Sequence, residues 1–125
     1  MNSYSKIIGD KGEAAAVEFL KNKNYEILTT KYKFRNGELD IIAKDKNILV
    51  FAEVKTVDLT HNDRSKFGDP ESWLTPAKQK FIRQCANHYL WKKEIVDVDC
   101  RFDLLAVRLY PERTDVNHIE NAFWM

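Results

Sequence analysis

Cysteine and histidine are scarce in this chain and long apolar runs are missing, and each shortage removes a class of function. The only cysteines, Cys85 and Cys100, fall inside a predicted helix and a predicted strand without metal-type spacing, so both read as reduced core thiols. His61, His88 and His118 keep no ligand spacing with one another or with a cysteine, which argues against a zinc site. No apolar stretch approaches the length of a membrane span, and the opening segment MNSYSKIIGDKGE lacks the apolar block of a signal peptide. A cytoplasmic chain without membrane contact is expected. Nucleophilic-serine motifs, phosphate-binding glycine loops, internal repeats and low-complexity tracts are also missing from the sequence.

What is present is ordinary in bulk and uneven in detail. The 125 residues, 44% hydrophobic and 31% charged, suffice for one domain with its own core. The net charge of +1 conceals a basic segment from Lys21 to Arg35, with Lys21, Lys23, Lys31, Lys33 and Arg35 against Glu26 alone. From Glu94 to Glu120 seven acids face three arginines. A basic patch beside a site would attract a polyanion; the same charges would equally make a solvated surface.

Patterning divides the chain into six elements. Asp10 to Lys23 reads as a helix, capped by Asp10, rich in alanine and ended by Asn22 or Asn24. Residues 25–34 alternate as a strand, with Tyr25, Ile27 and Thr29 on one side and Leu28, Tyr32 and Phe34 nearer the other; Asn36-Gly37 marks a turn. A second strand, 38–44, turns at Asp45-Lys46-Asn47 into a third, 48–55, whose apolar run Ile48 to Val54 predicts a central strand covered on both faces. Residues 57–74 are polar and read as a long loop or lid, a length that is uncommon without a function. Thr75-Pro76 opens a helix reaching about Leu90, a fourth strand spans about Val98 to Leu109, and Val116 to Met125 forms either a short extra strand or a packed tail. The order is α-β-β-β-α-β, an α/β fold with a mixed sheet flanked by helices.

Chemistry concentrates in Gly37 to Thr56, GELDIIAKDKNILVFAEVKT. Alternate side chains of a strand share a face, so Glu38 goes with Asp40 and Glu53 with Lys55. If Asp45-Lys46 is the two-residue loop, Lys44 faces Asn47, Glu38 faces Glu53 and Asp40 faces Phe51, which leaves Asp40 and Glu53 diagonal neighbours. That geometry depends on register. Two adjacent carboxylates need a cation, a proton or a basic group, and Mg²⁺ suits oxygen ligands and retains waters. Such a site acidifies water and stabilises charge on a phosphate, with Lys55 placed to orient the water or stabilise that charge. The same residues can make an ordinary surface hairpin with cross-strand ion pairs, although the apolar ILVFAEVK strand weighs against it.

Two residues stand on stripes that should be apolar. Glu13 aligns with Ala16, Val17 and Leu20, and Lys78 with Ile82, Cys85 and Tyr89. An acid on such a stripe needs a partner or an opening, or else complements the helix dipole from the first turn. Lys78 in a first turn opposes the dipole, which favours a place at the site. Arg101 and Asp103 share a strand face and read as a structural ion pair. Trp73 and Phe67, beside Arg64 and Lys66, suit a loop that stacks on bases and touches phosphates; Trp73 alone could equally anchor the loop.

GELDIIAKDKNILVFAEVKT, preceded by GDKGEAAAVEFL and followed by TPAKQKFI, RFDLLAV and HIENAF, resembles the YraN-like family of small bacterial proteins over about Ile8 to Phe123. That family is placed in the PD-(D/E)XK nuclease superfamily with Holliday junction resolvases and restriction endonucleases. The resemblance implies a restriction-endonuclease-like fold and a nuclease using Mg²⁺ or Mn²⁺ on DNA, with branched or structured DNA as one substrate class. It assigns the metal to Asp40 and Glu53, with Glu13 as the helix acid and the Val54 carbonyl as a further ligand; Lys55 assists the attacking water, and Lys78 is the polar residue near the phosphate. Leu39 stands where many relatives have proline, and Val57 where many have arginine. The resolvase branch implies pairing as a homodimer, since a junction offers two symmetric strands, yet no segment stands out as a dimer surface. A non-catalytic nucleic-acid-binding module and a DNA-repair or DNA-uptake interaction protein are the competing expectations.

Overall fold

A computed structural model describes residues 3–60 and 69–124 of the chain. His61, Arg64, Lys66, Phe67 and Gly68 lie outside the described residues. The elements are α1 (Ser3–Asn22), β1 (Glu26–Phe34), β2 (Gly37–Asp45), β3 (Ile48–Asp58), α2 (Pro76–Lys92), β4 (Asp99–Leu109) and β5 (Thr114–Phe123), with a 3-10 turn at Pro70–Ser72. The five strands form one sheet in the order β1-β2-β3-β4-β5. Only β3 and β4 run parallel, joined through α2; the other three pairings are antiparallel. This is the expected mixed sheet, extended by a ten-residue edge strand.

The two helices take opposite faces. Ala16 and Leu20 of α1 pack on Ile41, Ala43, Val50, Ala52, Leu105 and Val107. Ile82, Cys85, Ala86 and Tyr89 of α2 pack on Leu39, Ile42, Leu49, Phe51 and Phe102. Alternation along β3 thus feeds two cores at once, as its unbroken apolar run predicts.

Helix ends follow local chemistry except at the N-terminus. At the end of α1, Tyr25 N–H donates to Leu20 C=O at 3.0 Å and Asn24 N–H to Lys21 C=O at 2.9 Å, with Asn24 left-handed at φ 67°. Those are the paired bonds of a Schellman cap, with asparagine in the position glycine usually takes. Thr75 Oγ1 accepts the Lys78 N–H at 3.2 Å and Pro76 opens α2. Asp10, however, does not cap α1, which starts seven residues earlier. Ile8 packs against the core and the Tyr4 hydroxyl donates to Asp58, so tertiary contacts hold the additional turns. Asp10 pairs instead with Lys6 one turn back at 2.8 Å.

Two turns also differ from expectation. The loop between β1 and β2 is Arg35-Asn36, with Arg35 at φ 55° and Phe34 paired to Gly37. Gly37 belongs to β2, where a Cβ would come 2.7 Å from the Phe81 ring; its role is close approach to α2. Between β2 and β3 the loop is Lys46-Asn47, with Lys46 at φ 55° and Asp45 paired to Ile48. Lys44 therefore faces Leu49, Ile42 faces Phe51 and Ile41 faces Ala52. Moving the loop by one residue changes each partner by two, so the faces are preserved and the row after Ile41 and Ala52 brings Asp40 to Glu53.

Candidate metal and phosphate site

The site forms where β2 and β3 part. Their ladder ends at Ile41 and Ala52, whereas β3 continues beside β4 as far as Asp58 and Leu109, and β2 beside β1 as far as Gly37 and Phe34. A notch opens between them. Alternation also breaks there, because Leu39 packs towards α2 and Ile41 towards α1. On β1 the residue between the paired Thr30 and Tyr32 is Lys31, at φ 53°, a conformation that costs a non-glycine residue roughly 1 kcal/mol. The break turns Lys31 towards α1 and frees Asp40 to reach β3. In place of a ladder bond, Asp40 Oδ2 accepts the Val54 N–H at 2.8 Å.

Glu53 lies beside Asp40, only 2% exposed. Its Oε2 faces Lys78 Nζ at 2.9 Å and Lys55 Nζ at 3.6 Å. Its Oε1 is buried without a hydrogen-bond partner among the described residues. The two carboxyls are direct neighbours. Burial, then the neighbouring Glu53 carboxylate, raises the Asp40 pKa well above the usual carboxylate range, against the opposing effects of the Val54 N–H and Lys78. A desolvated acid pair with one orphaned oxygen takes up either a proton or a cation.

Asp40, Glu53, Lys55 and Lys78 are thus gathered from β2, β3 and α2. Glu13 faces the same cleft as Asp40 and Val54, but its carboxylate is bound by Lys31 at 3.0 Å. Burial raises its pKa, with Lys31 opposing and the Asp40 charge adding to the rise. Among the described residues no three carboxylate, histidine or cysteine side chains converge as a metal cluster. Two protein carboxylates with carbonyl and water ligands are nevertheless a donor set that Mg²⁺ commonly uses, and the orphaned Glu53 Oε1 matches it.

Sequence reasoning did not find Lys31 as the partner of Glu13 and Asp10. Its only signal was membership of the basic segment, and the pairing requires the β1 kink. Arg101 and Asp103 do pair, with Arg101 Nε and one terminal nitrogen each 2.9 Å from an Asp103 oxygen. The network is larger than expected. Arg101 also donates to the Tyr25 hydroxyl at 2.6 Å and to Asp45 at 3.1 Å. His118 Nε2 lies 2.7 Å from Asp103 Oδ2, and Lys23 Nζ lies 2.8 Å from His118 Nδ1. With lysine as the donor, Nδ1 accepts and Nε2–H donates to Asp103. This network joins β4, β5, the β2 end and the start of β1, and it is structural. Trp73, half-buried, borders the Asp40 cleft.

A mixed five-stranded sheet with a helix on each face, split beside an acid pair and a lysine, is the restriction-endonuclease-like α/β class. Family comparison agrees: the model described as "Uncharacterised protein family UPF0102" matches residues 12–107. The chain belongs to UPF0102, the YraN-like family of the PD-(D/E)XK superfamily. It is 39% identical over 117 residues to a UPF0102 protein of Christiangramia forsetii, covering 94% of this chain and 93% of the relative. Similar relatives occur in Alkaliphilus oremlandii, 41% identical over 121 residues (95% and 99% covered), and Geobacter sulfurreducens, 38% over 121 residues (96% and 91%). No helix among the described residues is long and apolar enough to cross a membrane.

Proposed function

We propose that the protein is a divalent-cation-dependent nuclease that hydrolyses phosphodiester bonds in DNA, branched or otherwise structured DNA included. The observation that carries this reading is buried Glu53 beside half-buried Asp40, with one Glu53 oxygen that no group among the described residues hydrogen-bonds and two ammonium groups at its other oxygen. Asp40 and Glu53 would hold Mg²⁺ or Mn²⁺ with the Val54 carbonyl, and Glu13 would join after releasing Lys31. When bound, the cation supplies an acidified water and stabilises charge on the phosphate.

The chain's own residues do the rest. Asp40 is fixed by the Val54 N–H, so its other oxygen is oriented before any ligand arrives. Lys55, part-exposed at the mouth, can orient the attacking water or stabilise the phosphate oxygens electrostatically. Lys78 offsets the charge of buried Glu53 at 2.9 Å and lies within reach of an incoming phosphate.

Incubating the purified protein with single-stranded, duplex and four-way DNA in Mg²⁺ or Mn²⁺ tests the proposal. Cleavage lost on Asp40→Ala is expected; intact DNA throughout, or activity surviving that substitution, overturns it. A second reading is favoured by the Lys78–Glu53 contact, which neutralises one acid without metal. A non-catalytic DNA-binding module would then bind in a salt-sensitive manner in EDTA and tolerate Lys55→Ala.

A further inference from the structure

The cleft bordered by Asp40 continues beneath the first two turns of α1 as a cavity of about 740 Å³. Its volume falls within the roughly 300–1,000 Å³ of small-ligand pockets. Two aromatic side chains, Tyr4 and Trp73, stand on its wall with the aliphatic Ile8 and Val57. Its charged lining is mainly acidic, and its two lysines are already committed, Lys6 to Asp10 at 2.8 Å and Lys31 to Glu13 at 3.0 Å.

Two glycines of α1 separate space that packing requires from space that it leaves open. A Cβ on Gly12 would come 1.8 Å from Thr56 Oγ1, so contact with β3 demands glycine there. Gly9 also lies inside the helix and lines the cavity, yet a Cβ there would meet nothing within 4 Å. Glycine in a helix interior is a cost relative to alanine, and at exposed Gly9 no contact with the described residues accounts for it.

The lining selects the occupant. Phosphate is disfavoured by the carboxylates, while a flat uncharged ring with N–H donors is suited to them and to an aromatic face. The ammonium groups that suit phosphate, Lys55 and Lys78, are at Glu53. We infer that this cavity receives the base of an unpaired nucleotide adjacent to the phosphate at the Asp40–Glu53 pair. The inference rests on the nuclease reading and narrows its substrate to DNA with an unpaired nucleotide at the cleavage point. A duplex does not enter a cavity of this size, so a paired base must leave its stack first.

Binding is measured in EDTA with short oligonucleotides carrying 2-aminopurine at one position, unpaired or within a duplex. The unpaired probe is expected to bind more tightly and to change emission on binding. Trp73→Ala and Gly9→Leu should each weaken that binding about tenfold or more, and Trp73→Phe should recover most of it. Thermal melting of Gly9→Leu no lower than that of the original chain shows that its loss comes from a filled cavity. An abasic site in place of the probe should weaken the original chain by a similar factor and leave Trp73→Ala and Gly9→Leu little changed. Equal affinity for duplex and unpaired strands, an abasic penalty the same in all variants, or no binding at all overturns the assignment. Cleavage of the same strands in Mg²⁺ is scored separately. Base-dependent binding without cleavage removes the nuclease reading and keeps the pocket; cleavage without base dependence does the reverse.

Discussion

Lys78 on α2 holds its ammonium group 2.9 Å from Glu53 on β3, so the acid beside Asp40 carries a counter-cation supplied by the helix that joins β3 to β4. The contact explains how a carboxylate can be almost completely buried in an apolar strand. Lysine on the core stripe of α2 is then a requirement of the site.

Replacing that lysine should expose its contribution. Lys78→Met is expected to destabilise the cation-free protein by about 2 kcal/mol, the scale of a hydrogen bond to a charged group. Mg²⁺ should restore part of the loss, because a cation at Asp40 and Glu53 offsets the missing ammonium. Urea midpoints with EDTA and with Mg²⁺ measure both; an unchanged midpoint in EDTA would refute the pairing.

Asp40 should leave a signature in the pH dependence of stability. Its folded pKa is raised, to about 8, chiefly by burial and then by Glu53. Between the ordinary carboxylate range and that value the folded state binds more protons than the unfolded state, so stability falls as pH rises through this window. Urea titrations in EDTA from about pH 4 to about pH 8 should show the decline. Asp40→Asn should flatten it.

Glu71 titrates with the opposite sign. Two hydrogen bonds from Arg108, at 2.7 and 2.8 Å, lead the effects that hold its pKa down to about 2. Its contribution is present above the ordinary glutamate range and is lost as pH falls towards about 2. Because Glu71 ties the 3-10 turn to β4, Glu71→Gln should shift Trp73 fluorescence at neutral pH and remove this part of the acid transition.

The Arg101–Asp103 network is the most sensitive structural target. Asp103 is 1% exposed; burial would raise its pKa, but His118 and Arg101 outweigh that and hold it low. Asp103→Asn leaves a buried guanidinium underpaired and should cost about 3–5 kcal/mol. Arg101→Met should cost a similar amount by stranding Asp103. Thermal or urea unfolding decides, and a loss below 1 kcal/mol, roughly that of a surface pair, would contradict the burial.

Gly12 and Gly9 should separate in the same assay. Gly12→Ala forces a methyl group into Thr56 and should cost about 1–3 kcal/mol, the usual range for overpacking. Gly9→Ala meets open space and should gain about 0.5–1 kcal/mol from helix propensity.

Periodicity and caps were enough to establish the six-element order, the doubly covered β3 and the cap at Thr75, and to single out Asp40, Glu53 and Lys55 as candidates. Each follows from neighbours in sequence: alternation places side chains on faces, and a threonine before proline starts a helix wherever it lies. The start of α1, the two hairpin loops and the full length of β5 did not follow, because tertiary contacts made by Tyr4 and Ile8 and pairing with β4 determine them. Only the folded chain decided that β2 and β3 part at Asp40, that Lys31 kinks towards Glu13, and that Lys78 reaches Glu53. Those are distances between residues far apart in sequence, and sheet register and helix docking set them; no local preference encodes them.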